Sequence, residues 1–295
     1  MIGIPRSLFY YYDGKIWTNF FDYLKIDYMI SPETNKNILE LGKQISNDEM
    51  CMSVKNYLGH IGYLSSRCKY ILVPRIDNYG DNNQTCTNFL AMYDLVNNLF
   101  DNDILNYNIN LNNQETLRKG LTKIGLIFNK KKKDIKKAIT YSLVKYKKEQ
   151  KKQIFNNILN LRSSKKKILI LSHPYNTYDA FIGKPIIKLL KDMDMEIIYG
   201  DLFNHQEANK RSIKISKDLY WKYSKDLIGS LELVKNKVDG ILLLSTFPCG
   251  LDSLVNELII RKMDIPRLNV ILDDLDSLSG METRIESFVD IINQS

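Results

Sequence analysis

The chain has 295 residues, 44% of them hydrophobic, and a formal net charge of +8. That apolar content excludes a disordered chain, and the usual ~100–200 residues per domain predicts two cores. No run of about 18 apolar residues is present to cross a membrane and the first residues lack a signal-peptide pattern, so a cytoplasmic protein with four reduced cysteines is expected.

In chain order, Ile2-Gly3-Ile4 predicts a strand, followed by an aromatic stretch behind Arg6, and residues 26–31 predict a second strand. Cys51 precedes Tyr57, Leu58, Ile61 and Leu64 at helical spacing, a helix beginning near Ser53 in which His60 reads as a packing residue. Cys68 sits at the start of the strand predicted for 70–74, away from the edge where ligands bind, and is assigned to structure. Cys86 follows a Gly80-Asp81-Asn82-Asn83 loop and leads into Phe89, Leu90, Tyr93 and Val96. The Asn-rich stretch 106–114 reads as surface loop, and no internal repeat is visible.

The positive charge is concentrated between Arg118 and Lys167, with the run Lys130 to Lys133 and then Lys136, Lys137, Lys145, Lys147, Lys148, Lys151 and Lys152. Among these lysines Ile135, Ile139, Leu143, Tyr146, Ile154, Ile158 and Leu161 recur at mostly three- and four-residue spacing, which predicts one long amphipathic helix. Its lysine face reads as solvated surface, with docking of an acidic partner protein as the functional alternative. No nucleic-acid-binding motif accompanies the charge.

Strands are predicted again at 167–172, 196–200, 240–245 and 269–272, most of them followed by a loop and a helical pattern. The fold class is therefore α/β, with two Rossmann-like domains, mostly parallel sheets and a long linking helix. The boundaries fall at 1–115 for the N-terminal domain, 116–164 for the basic helical linker and 165–295 for the C-terminal domain. Ligands bind such sheets at the carboxyl ends of the strands. On that edge lie the loop Ser172-His173-Pro174-Tyr175-Asn176-Thr177-Tyr178-Asp179 and the turn Phe247-Pro248-Cys249-Gly250-Leu251-Asp252-Ser253. His173, Asn176, Asp179, Asp252 and Ser253 are the candidate cofactor-binding residues, with Asp252 also a candidate N-cap. The bland alternative is that His173 merely caps its strand. No Walker or G-x-G-x-x-G loop is present, so nucleotide binding by the chain itself is not expected.

Cys51, Cys86 and Cys249 each precede a helical pattern. A helix N-terminus carries roughly half a positive charge and lowers a nearby thiol from its ordinary pKa of about 8.5. Buried inert thiols are the alternative at each position. The cysteines share no C-x-x-C spacing, so zinc-finger, ferredoxin and thioredoxin signatures are missing.

Several stretches, taken together, resemble the 2-hydroxyacyl-CoA dehydratase superfamily, of the 2-hydroxyglutaryl-CoA dehydratase and benzoyl-CoA reductase type, and within it the uncharacterised activase-related branch. They are Ile2-Gly3-Ile4-Pro5-Arg6-Ser7-Leu8-Phe9-Tyr10-Tyr11, Ser31-Pro32-Glu33-Thr34-Asn35-Lys36, Asp48-Glu49-Met50-Cys51, Val73-Pro74-Arg75, His173-Pro174-Tyr175-Asn176 with Tyr178-Asp179, and the Cys249 turn. The resemblance implies a 4Fe-4S cluster ligated by Cys51, Cys86 and Cys249, an ATP-dependent activator protein as electron donor, and an acyl-CoA or other small substrate. Ser53 and Thr87 replace prolines that relatives carry, and 274–278 replaces a Glu-His-Thr-Gly-Glu-like stretch. The expectation is an iron-sulfur protein of the dehydratase type; the alternatives are an accessory or scaffold protein docking an activator, or a structural zinc protein.

Overall fold

Strands that alternate with helices return to the same sheet end each time, which favours parallel pairing. The computed structural model describes residues 1–273 and 279–294. In it, every pairing between strands is parallel, bearing out the α/β expectation. The 274–278 stretch lies outside the described residues.

The chain divides into two units, Met1–Glu149 and Gln150–Ser295. The first contains β1 (Ile2–Ile4), α1 (Tyr10–Leu24), β2 (Tyr28–Ile30), α2 (Lys36–Ile45), α3 (Met52–Ser65), β3 (Tyr70–Leu72), β4 (Arg75–Asn78), α4 (Thr87–Leu99), β5 (Asp103–Leu105), β6 (Asn108–Asn110) and α5 (Leu117–Ile127). Helix α6 (Lys132–Asn160) contains the division. The second unit continues with β7 (Lys167–Leu171), α7 (Pro174–Thr177), α8 (Gly183–Asp192), β8 (Glu196–Tyr199), α9 (His205–Ser212), α10 (Lys222–Val234), β9 (Gly240–Thr246), α11 (Gly250–Lys262), β10 (Arg267–Leu272) and α12 (Ser279–Gln294).

Strand order is β2-β1-β3-β5 in the first unit and β10-β9-β7-β8 in the second, with β4 and β6 forming a separate pair. Both sheets thus place their second strand on one side of the first, and their third and fourth on the other. The helices repeat as well. A helix pair, α2 with α3 and α9 with α10, joins the second strand to the third in each unit, and both pairs open on an asparagine N-cap, Asn35 and Asn204. A Cβ at Gly59 would fall on the Ile38 carbonyl oxygen, and one at Gly229 on that of Ala208, so glycine lets each pair cross with its backbones almost touching. The sequence shows no repeat because topology and contact positions recur while most residue identities do not.

The second sheet shows why its strands read as apolar runs. Ile168, Ile170, Leu242 and Leu244 pack with α8 and α12 on one face, while Leu169, Leu171, Ile241 and Leu243 pack with α10 and α11 on the other. Alternate side chains point to opposite faces, and with helices on both faces neither set can be polar. Truncating one of these fully buried residues, Leu243→Ala for instance, costs about 2–5 kcal/mol. Strands β4, β5 and β6 were not apparent in the sequence. They have three or four residues each and include Asp and Asn, too few to show a period; β6 and a short 3-10 turn occupy the stretch read as loop.

Candidate functional site

In each sheet the connections from the first strand and from the third depart in opposite directions, so a crevice opens between their carboxyl ends. In the first unit the loop after β1 is tied down by a buried histidine. The Arg6 backbone N–H donates to Ser31 Oγ at 2.8 Å. Ser31 Oγ lies 2.8 Å from His60 Nδ1, and Thr34 Oγ1 lies 3.0 Å from His60 Nε2. Burial, with Arg6 nearby, holds the His60 pKa down to about 3. A neutral imidazole that bonds through both nitrogens is a structural part, as its place in the α3 pattern predicts.

Cys51 is the N-cap of α3 and Cys86 the N-cap of α4. Asn88, in the first turn of α4, donates to Cys51 Sγ at 3.8 Å, which brings that turn against Cys51. Cys68 is buried before β3, where burial raises its thiol pKa. Asp13 and Tyr57 lie within the same unit, and both Asp13 Oδ2 and the Tyr57 hydroxyl are buried without a hydrogen-bond partner among the described residues. Burial pushes the Asp13 pKa up to about 7. Nearby, Trp17 Nε1 donates to Tyr107 Oη at 2.8 Å.

In the second unit the loops flanking the crevice meet directly. His173, the N-cap of α7, has Nε2 3.0 Å from Asp252 Oδ1, and both residues are buried. Tyr175 stacks on the imidazole at 5.0 Å and Tyr223 meets it edge-on at 6.2 Å. The helix α11 is capped by Cys249, whose Sγ accepts the Asp252 N–H at 3.5 Å. Asp252 therefore stands inside the first turn and is not itself the cap, which frees its carboxylate for His173. Ser253 is spent on its own turn, donating to the Cys249 carbonyl at 2.8 Å. Asn176 is buried in α7. Asp179 Oδ1 accepts the N–H groups of Phe181 at 2.8 Å and Ile182 at 3.0 Å, so it shapes the entry to α8. Of the five candidates, His173 and Asp252 are brought together across the crevice.

A polar group missed in the sequence follows β8. Asp201 accepts the Tyr178 hydroxyl at 3.0 and 2.9 Å, and burial raises its pKa to about 6. Asp226 Oδ2 pairs with His205 at 3.0 Å and Lys222 at 2.6 Å. The available signal was Gly200-Asp201 directly after an apolar strand, the same carboxyl-edge position that singled out His173.

Residues 1–203 match the family model described as CoA enzyme activase uncharacterised domain (DUF2229). The chain belongs to this family. No curated protein matches it. The activase-domain match spans the first unit and the second as far as Phe203, so it includes His173, Asn176 and Asp179 and stops before Asp252 and Ser253.

This membership corrects the expected function. The matched family is described as a CoA enzyme activase domain and not as a dehydratase-type iron-sulfur protein. Among the described residues, neither unit by itself brings together three or more His, Cys, Asp or Glu side chains able to hold a metal ion. A three-thiolate cluster and a four-ligand zinc centre alike lack their donor set within a unit. Among the described residues no helix is long and apolar enough to cross a membrane.

Proposed function

We propose that the chain serves in the activation of a CoA-dependent enzyme, binding that enzyme as a protein partner. The observation that carries this reading is the activase-domain match over residues 1–203. The CoA thioester is then the substrate of the partner, and nothing in the proposal requires this chain to transform it. No phosphate-cradling glycine loop is present in the sequence. ATP hydrolysis in such an activation therefore belongs to a separate ATP-dependent activator, with which this chain would work.

The His173–Asp252 pair supports a ligand-responsive role for the second unit. A buried carboxylate fixes the imidazole in one orientation, and the pair closes the carboxyl-end crevice where a small ligand binds in folds of this kind. A ligand that competes for either side chain would part the loops after β7 and β9.

The test is purification of the tagged full chain under anaerobic conditions, identification of the co-purifying enzyme by its action on a CoA thioester, and comparison of that enzyme's rate with and without the chain. A rate that rises with added chain supports the proposal, and an enzyme equally active without it overturns the proposal.

A further inference from the structure

Eleven lysines against Asp134 and Glu149 give residues 130–152 a formal charge of +9, so the rest of a chain whose total is +8 sums to −1. None of these lysines forms an ion pair among the described residues. All but Lys130 are exposed. Lys133, Lys137, Val144, Lys148, Lys151 and Phe155 recur at intervals that place them on one face of α6. Ile135, Ala138, Ile139 and Ser142, on the opposite face, are buried. Val144, among the lysines, and Phe155, just past the last of them, stand 63% and 64% exposed.

We infer that this face of α6 is the docking surface for a protein partner with an acidic face, and the inference rests on the reading that the chain binds a CoA-dependent enzyme. Charge complementarity selects the partner: a cationic strip about 33 Å long at 1.5 Å per residue attracts carboxylates most strongly at close contact, within the roughly 10 Å over which salt leaves exposed charges unscreened. The two exposed apolar side chains supply what charge does not, apolar contact area, with Val144 flanked by lysines and Phe155 at the end of the strip. An anionic membrane is the poorer fit, because the apolar face that would insert is already buried in the protein. Nucleic acid is poorer too, since no groove-reading or base-stacking motif accompanies the lysines.

The experiment places a photo-cross-linking side chain at Val144 or Phe155 of the full chain, expressed in its source cells, and identifies the cross-linked species by mass spectrometry. The same is done in a background of Lys133→Glu, Lys137→Glu, Lys148→Glu and Lys151→Glu, with a matched Lys→Gln set and thermal unfolding as controls for folding. The inference expects a protein cross-linked through an Asp- or Glu-rich segment, with yield falling at least tenfold in the reversed set and less in the neutral set. Lipid, nucleic acid, no adduct, or a protein adduct indifferent to charge reversal would overturn it. An acidic partner that does not act on CoA thioesters sinks the functional reading while leaving the docking surface standing. A CoA-dependent enzyme that binds equally well after reversal does the opposite.

Discussion

Asp13 and Asp179 each follow a tyrosine in the connection leaving the first strand of their unit, and their carboxylates have opposite fates. Asp179 precedes α8, where the free N–H groups of Phe181 and Ile182 receive it. Asp13 is inside the first turn of α1, and its buried Oδ2 finds no hydrogen-bond partner among the described residues. One carboxylate is held by backbone N–H groups in the loop before its helix, and the other is buried inside the first turn.

Asp13→Asn is therefore expected to stabilise the protein at neutral pH. Asp13 in the folded state holds its proton up to about pH 7, against 3.8 when unconstrained, so the folded state binds more protons between those values. Stability attributable to Asp13 falls as pH rises from ~4 to ~7 and stays low above that. Denaturant titrations across this range should show the variant gaining on the parent with pH, reaching on the order of 2–4 kcal/mol. A constant difference across the range would refute the assignment.

His60 gives the opposite slope. Its pKa is depressed to about 3 from 6.5, so below pH ~6.5 the unfolded chain takes a proton that the folded chain refuses, and stability falls with acidification until about pH 3. His60→Gln should lose this dependence and cost about 1–3 kcal/mol at pH 7 through broken contacts with Ser31 and Thr34. The pH series on His60→Gln reads out directly whether the imidazole is buried neutral.

Two glycine substitutions separate close packing from mere chain flexibility. Gly59→Ala forces a methyl group onto the Ile38 carbonyl and is expected to lower stability by more than about 2 kcal/mol, with repacking of α2 against α3. Gly250→Ala meets nothing within 4 Å among the described residues and is expected to change stability by less than about 0.5 kcal/mol. Equal effects in thermal unfolding would contradict the crossing geometry.

The His173–Asp252 contact predicts an interaction energy in a double-mutant cycle. His173→Ala and Asp252→Ala together should cost less than the sum of their separate effects by about 0.5–3 kcal/mol. Strict additivity would mean the two loops are not coupled through this bond.

Much of the fold was legible because the second sheet is covered on both faces, so its central strands carry unbroken apolar runs, Ile168 to Leu171 and Ile241 to Leu244, that stand out from their surroundings. Cys51, Cys86 and Cys249 were legible as helix starts because helical apolar periodicity begins just after each. Asp252 was misplaced by three residues because a thiol, a weak acceptor, takes the cap that an aspartate usually fills. Asp201 carried only its place after the β8 strand as a signal and Asp226 none, because the partners Tyr178, His205 and Lys222 that mark them are brought to them by the fold. The function was misdirected by a resemblance whose cysteines imply a cluster, whereas the family that matches two thirds of the chain is described by activation.

The central claim is tested most directly by the turnover of the co-purified CoA-dependent enzyme, measured anaerobically with ATP and its activator present, as this chain is titrated in. The account predicts a saturable rise in rate as the chain is added. A rate that stays flat up to stoichiometric excess, with an enzyme competent by itself, would contradict it.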